Sequence, residues 1–223
     1  GELESLQVLR MYDPPCPWDA EVCREAAASG HWDVVKWLRA QDPPCPWHAD
    51  LTRFALDRVL PSQRHEILEW LRAQDPPCPW SEGLIAELAA GGELEKIQLL
   101  RSLQPPCPWG DACRGAVGEE QWEVLSWLRA QDPPCSWSEG LIAELAAGGE
   151  LEKIQLLRSL QPPCPWGDAC RGAVGEEQWE VLSWLRAQDP PCPCNADLSG
   201  EVVNHFGRQV ALSRFGVEVA EYV

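Results

Sequence analysis

The chain has 223 residues, with 18 Lys and Arg against 35 Asp and Glu and a formal net charge of −17. That length can bury a real apolar core, and a content of 45% hydrophobic and 24% charged residues excludes a disordered chain in spite of 21 prolines. The acidic balance argues against nucleic acid and anionic membrane surfaces, both of which need clustered Lys and Arg, and no apolar run approaches the roughly 20 residues of a membrane-spanning helix.

The chain opens GELESLQVLR, which is neither a signal peptide nor an Arg-rich transit peptide. Without a starting Met it is expected to be a processed form or part of something longer. Pro-Pro-Cys then occurs seven times, with cysteines at Cys16, Cys45, Cys78, Cys107, Cys135, Cys164 and Cys192, spaced 29, 33, 29, 28, 29 and 28 residues apart. A period in that range marks a solenoid, propeller or array. Six copies continue to Trp18, Trp47, Trp80, Trp109, Trp137 and Trp166; the last has Cys194 in that place. Residues 70–135 recur as 127–192 with one difference, Pro79 against Ser136, so the duplicated unit is a pair of repeats. The organisation expected is a half-repeat at 1–12, repeats at 13–41, 42–74, 75–103, 104–131, 132–160 and 161–188, and a different tail at 189–223.

Within a repeat the order is loop, helix, turn, helix. Pro-Pro fixes two φ angles and removes two backbone donors, so neither a helix nor a central strand passes through it. In repeat 75–103, Leu84, Ile85 and Leu88 recur at helical spacing and Gly91-Gly92 stops the helix. The second helix opens with Glu93 and Glu95 and closes with Arg101, which suits the macrodipole. Leu94, Ile97, Leu99 and Leu100 form its buried stripe. Aligned repeats place Cys23 with Ile85 and Cys113, Trp32 with Leu94 and Trp122, Val35 with Ile97 and Leu125, and Trp37 with Leu99 and Trp127. Apolar character persists there while size varies, as at core positions. One repeat cannot bury such a stripe alone, but a stack can. Repeat 42–74 carries four extra residues around Val59-Leu60-Pro61-Ser62, expected to lengthen the turn between its helices. The fold class is all-α: a helix-turn-helix solenoid of about six repeats with a C-terminal cap.

Residues 26–42, AAASGHWDVVKWLRAQD, resemble the second half of the ankyrin motif, with Ala26, Ala27, Gly30, His31, Val34, Val35 and Leu38 at the matching places. The first half departs, since Pro-Pro-Cys-Pro-Trp replaces Thr-Pro-Leu-His and the hairpin finger, and the repeats are shorter than the usual 33 residues. The chain is similar to the divergent ankyrin-type repeats with a Cys-Pro-Trp loop found in unicellular algae and giant viruses, over roughly residues 1–190. The resemblance implies ankyrin-like stacking and protein binding, and leaves the partner open because such repeats bind many unrelated proteins.

The loop cysteines invite a metal reading, but equivalent residues of stacked repeats lie about 8–10 Å apart. That ladder neither converges on a metal nor meets the ~4.4–6.8 Å Cα separation of a disulfide. Buried structural thiols are expected, in a reducing compartment inside the cell: the cytoplasm by default, with a plastid as the alternative. The loop tryptophans are either wedges between repeats or partner contacts. His65-Glu66 begins like a zinc-protease helix, but Glu69 stands where a second His is required. An active site needs unlike residues converging once, whereas most polar residues of 70–192 exist twice. No catalysis, cofactor or metal site is expected.

The favoured function is a non-catalytic protein–protein interaction scaffold that uses the concave surface of first helices and loops. Arg24, Glu25, Glu87, Arg114, Glu144 and Arg171 would face the partner there. The tail either caps the stack or docks on another subunit through residues that include Phe215 and Tyr222. Two other readings remain open. One is a permanent linker subunit of a large assembly, with a membrane-associated photosynthetic assembly among the options. The other is a metal- or redox-responsive cysteine-rich protein.

Overall fold

The structure, a computed structural model, describes residues 3–12, 17–193 and 202. The chain divides into two compact units, Gly1–Pro134 and Cys135–Val223. The described residues are helical with no strand, as the all-α reading requires. Unit 1 opens with α1 (Leu3–Arg10). Four helix pairs follow: α2 (Ala20–Ala28) with α3 (Trp32–Arg39), α4 (Leu51–Asp57) with α5 (Pro61–Ala73), α6 (Leu84–Ala90) with α7 (Leu94–Ser102), and α8 (Ala112–Gly118) with α9 (Trp122–Arg129). Unit 2 contains the pairs α10 (Leu141–Ala147) with α11 (Leu151–Ser159) and α12 (Ala169–Gly175) with α13 (Trp179–Arg186).

The helices are short, and local signals mark their ends. Asp19 caps α2 by accepting from the Glu21 amide at 3.0 Å. The α2–α3 turn closes through the Gly30 amide to the Ala27 carbonyl and the His31 amide to Ala26, both 2.9 Å. Gly30 has φ +79°, a left-handed position that favours glycine. Gly92 and Gly149 hold the same place, but Glu120 and Glu177 hold it in the other repeat type, at φ 56° and 55°. A side chain there costs roughly 1–2 kcal/mol.

In the four-residue insertion the structure differs from the sequence reading. The α4–α5 connection is Arg58–Leu60, as short as Ser29–His31 between α2 and α3. The extra residues instead add a turn to the start of α5, where Pro61 takes the first helical position and loses no bond by lacking an N–H.

The core lies where aligned repeats place it. Cys23, Thr52, Ile85 and Cys113 are buried in unit 1, and Ile142 and Cys170 in unit 2. Val35, Leu68, Ile97, Leu125, Ile154 and Leu182 form the matching buried row on the second helices. Trp37, Leu99 and Trp127 are only half-buried, at the margin where the loops pack.

First helices meet in two ways. Between α6 and α8 the backbones touch: a Cβ on Gly115 would lie 3.0 Å from the Ala86 carbonyl carbon and closer still to its oxygen. Gly172 meets Ala143 in the same way inside unit 2. Between α4 and α6 the contact runs through side chains, with Arg53 bonded to Glu87. Lys96 of α7 reinforces that junction, bonding Asp57 at 2.8 Å and Glu93 at 2.6 Å. Partial burial works against the Lys96 charge, but the two carboxylates outweigh it and hold its pKa above the ordinary value.

Gly115→Ala is expected to destabilise the protein by about 1–3 kcal/mol, the usual cost of forcing a methyl into a filled contact. Gly118→Ala, where the new Cβ meets nothing within 4 Å, is expected to be neutral or stabilising by up to about 1 kcal/mol. Urea denaturation of both variants separates steric contact from helix propensity.

Candidate functional site

The residues that make this sequence unusual meet at the end of each second helix. Since Pro-Pro supplies no donors, the loop is held by what flanks it. The Cys amide donates back into the helix: Cys45 to the Leu38 carbonyl at 3.1 Å, Cys78 to Leu71 at 3.0 Å, Cys107 to Leu100 at 3.3 Å, Cys164 to Leu157 at 3.3 Å and Cys192 to Leu185 at 3.0 Å. An arginine in the last turn then reaches over the loop and donates from Nη1 to the same cysteine's carbonyl. Arg39 bonds Cys45 at 2.5 Å, and Arg101–Cys107, Arg158–Cys164 and Arg186–Cys192 are each 2.6 Å. Arg72 bonds Cys78 likewise.

The arginine guanidinium also sits over the loop tryptophan. The distances to the ring centroid are 4.0 Å for Arg10–Trp18 and Arg39–Trp47, 4.4 Å for Arg72–Trp80, and 3.9 Å for Arg101–Trp109 and Arg158–Trp166. Four of these tryptophans, Trp80 excepted, in turn meet a second-helix Trp of their own repeat edge-on. Trp18–Trp37, Trp47–Trp70 and Trp109–Trp127 are 6.1 Å apart, and Trp166–Trp184 6.2 Å. Each of these four tryptophans therefore joins the arginine of one repeat to the helix of the next. Indole N–H groups also link successive loops, Trp47 to the Pro76 carbonyl at 2.8 Å and Trp137 to Pro162 at 3.3 Å.

The sequence reading placed Arg101 only against the helix dipole and missed this clasp, although the signal was present. Arg10, Arg39, Arg72, Arg101, Arg129, Arg158 and Arg186 each stand six residues before a loop cysteine, while repeat lengths vary from 28 to 33.

The nine described cysteines are buried and unpaired by disulfides; Cys16 and Cys194 lie outside the described residues. The Cys45 thiol donates to the Asp19 carbonyl at 3.2 Å. Burial pushes Cys78 up to about 11 and Cys107 up to about 12. Cys23 is also raised, by its hydrogen bond with Cys45 and then by burial. A protonated, enclosed thiol is a poor nucleophile at neutral pH, because the thiolate is the reactive form. Among the described residues, no three His, Cys, Asp or Glu side chains converge in a way that could hold a metal.

The charged residues assigned to partner binding all lie on first helices. Arg24 of α2 bonds Glu21 at 2.5 Å and also Glu25. Glu25, Glu87, Glu144 and Arg171 are exposed, and Glu87 receives Arg53. Arg114 is half-buried, with its Nε closed off from solvent, although its copy Arg171 is exposed. Phe215 and Tyr222 lie outside the described residues, as does nearly all of the expected cap or docking tail.

The clasp predicts that Arg101→Ala lowers stability by about 2–3 kcal/mol, the scale of a charged hydrogen bond and a cation–π contact together. Arg101→Lys is expected to recover less than half of that loss, since an ammonium cannot both cover the ring and fork onto the carbonyl. Denaturation followed by tryptophan fluorescence reads both variants.

The thiols predict a pH effect. Cys78 and Cys107 ordinarily titrate at 9.0, and the fold raises both. The unfolded chain therefore releases these protons first, and stability falls as pH rises from about 9 through 11 to 12. Urea midpoints measured at pH 8, 9.5 and 11 are expected to decline in that order, and a Cys78→Ala/Cys107→Ala variant is expected to decline less steeply.

Among the described residues no helix is long and apolar enough to cross a membrane. Compared with family models, curated proteins and solved structures, the chain matches none.

Proposed function

We propose that the chain is a non-catalytic protein–protein interaction scaffold, similar in design to divergent ankyrin repeats, that binds partners through the exposed side of its first helices. The observation that carries this reading is a charged face written twice. Glu87 on α6 matches Glu144 on α10, and Arg114 on α8 matches Arg171 on α12, 57 residues apart on helices of matching bounds. A catalytic centre gathers unlike groups at one point. A duplicated row offers the same contact again along the chain, which suits an extended partner.

The clasp supports the reading by elimination. It engages loop tryptophans and arginines internally, whereas the first-helix charges differ between repeat types, and Glu87, Glu144 and Arg171 keep exposed side chains. The net charge of −17 favours a partner surface of basic or mixed character and speeds encounter with it.

The test is native mass spectrometry, with subunit identification, on protein isolated gently from its source. The wild type is expected to carry a stoichiometric partner, and Glu144→Lys/Arg171→Glu is expected to hold it about tenfold more weakly, or 1.4 kcal/mol. A partner retained at the wild-type level by that variant would show that this face is not the binding surface.

A further inference from the structure

Three first-helix cysteines are each followed 22 residues later by a loop cysteine: Cys23 by Cys45, Cys113 by Cys135 and Cys170 by Cys192. Thr52, Ile85 and Ile142 hold the same first-helix place ahead of Cys78, Cys107 and Cys164. In unit 1 the structure brings the first pair together. The Cys45 thiol donates at 3.2 Å to the Asp19 carbonyl at the start of α2. Helix geometry assigns that same oxygen to the amide of Cys23, one turn on, and the Cys23 and Cys45 side chains hydrogen-bond each other. In unit 2 the Cys170 thiol donates to the Cys192 carbonyl at 3.8 Å.

The two thiols of the first pair are not equivalent. Cys23 lies inside α2 and keeps its proton. Cys45 is held below the ordinary thiol value, first by the hydrogen bond from Cys23; the Cys23 amide and the Arg39 guanidinium act in the same sense, against burial. The thiolate is the reactive form, and a second thiol beside it is placed to resolve an oxidised sulfur. Both side chains are buried, but Cys45 is covered only one residue deep. Pro43, Pro44 and Pro46 around it are exposed, so a local opening of the loop uncovers it. Cys78 differs: burial raises it, and the Thr52 hydroxyl beside it offers no second sulfur.

We infer that Cys23 and Cys45 form a dithiol that hydrogen peroxide oxidises to a disulfide, stapling α2 to the loop that opens the next repeat, and that Cys170 and Cys192 repeat the site in unit 2. The Cys45 sulfur attacks one peroxide oxygen and the O–O bond breaks. The other oxygen leaves as water with the thiol proton, and Cys45 becomes a sulfenic acid. The Cys23 sulfur then attacks Cys45 Sγ: the S–S bond forms, the S–O bond breaks, and the hydroxyl leaves as water with the Cys23 proton. The thiols give up two electrons and the peroxide takes them. The staple restricts the unfolded chain between residues 23 and 45, so the oxidised form is the more stable one. This chemistry belongs to the interior and does not rest on the scaffold reading.

The test treats the reduced, folded full chain with a small excess of hydrogen peroxide, blocks the remaining thiols with N-ethylmaleimide and maps the peptides by mass spectrometry. Cleavage before Asp19 separates Cys16 from Cys23. Peptides linking Cys23 to Cys45 and Cys170 to Cys192 are expected, each lighter by two hydrogens, together with a higher urea midpoint. Cys78 and Cys107 are expected to remain free thiols. Cys23→Thr places there the residue that position 52 already carries. This variant is expected to unfold cooperatively in urea, to form no link at Cys45, and to leave Cys45 as a sulfenic acid that dimedone traps. The absence of a Cys23–Cys45 link in the folded chain, a link that forms only in urea, or oxidation of Cys78 as fast as Cys45 would each overturn the inference. So would Cys45 linked to Cys16 or Cys78 in place of Cys23.

Discussion

The clasp between an arginine, a cysteine carbonyl and a tryptophan ring is the interaction on which the repeat depends. Two consecutive prolines deprive each loop of the backbone donors that hold ordinary turns together. One guanidinium supplies what is missing: it donates to the carbonyl beyond the prolines and lies on the tryptophan two residues further on, as Arg101 does with Cys107 and Trp109. The tryptophan edge then meets the next helical layer through Trp127. An exposed cation–π contact is worth only about 0.5–1 kcal/mol, but here it coincides with a charge-assisted hydrogen bond and an aromatic pair.

The clasp joins residues only eight positions apart, Arg101 and Trp109 for example, so it tolerates large differences in the helices between successive loops. Two kinds of first-helix junction exploit that freedom. Gly115 against Ala86 brings backbones into contact, whereas Arg53 with Glu87 separates neighbours by a pair of side chains. The duplicated unit is a pair of repeats, and each copy contains one such backbone contact, Gly115 on Ala86 and Gly172 on Ala143.

The functional reading follows from where the distinctive residues point. The described thiols are enclosed, with burial raising the pKa of Cys78 and Cys107, and loop tryptophans and arginines are spent on joining layers. The side chains that remain include exposed charges on first helices, Glu87, Glu144 and Arg171 among them. That pattern suits recognition of another polypeptide by charge.

Much of the architecture was legible in the sequence because it is periodic. The 28–33-residue spacing, the Pro-Pro stops and the apolar stripes through Cys23, Ile85 and Cys113 depend on local chemistry and repeated burial, and either one shows in a single chain. What required the tertiary structure was how charges and backbones meet across repeats. Arg101 reads locally as a dipole partner, and only three-dimensional closure of the loop brings it over Trp109. Pro61 reads as a turn residue, yet packing of α5 makes it a helix start. The sequence by itself determined which side chains must be hidden, since hydrophobic periodicity is a property of the chain. Which neighbour hides them, and which charges are left facing outward, was decided by packing distances that no single repeat contains.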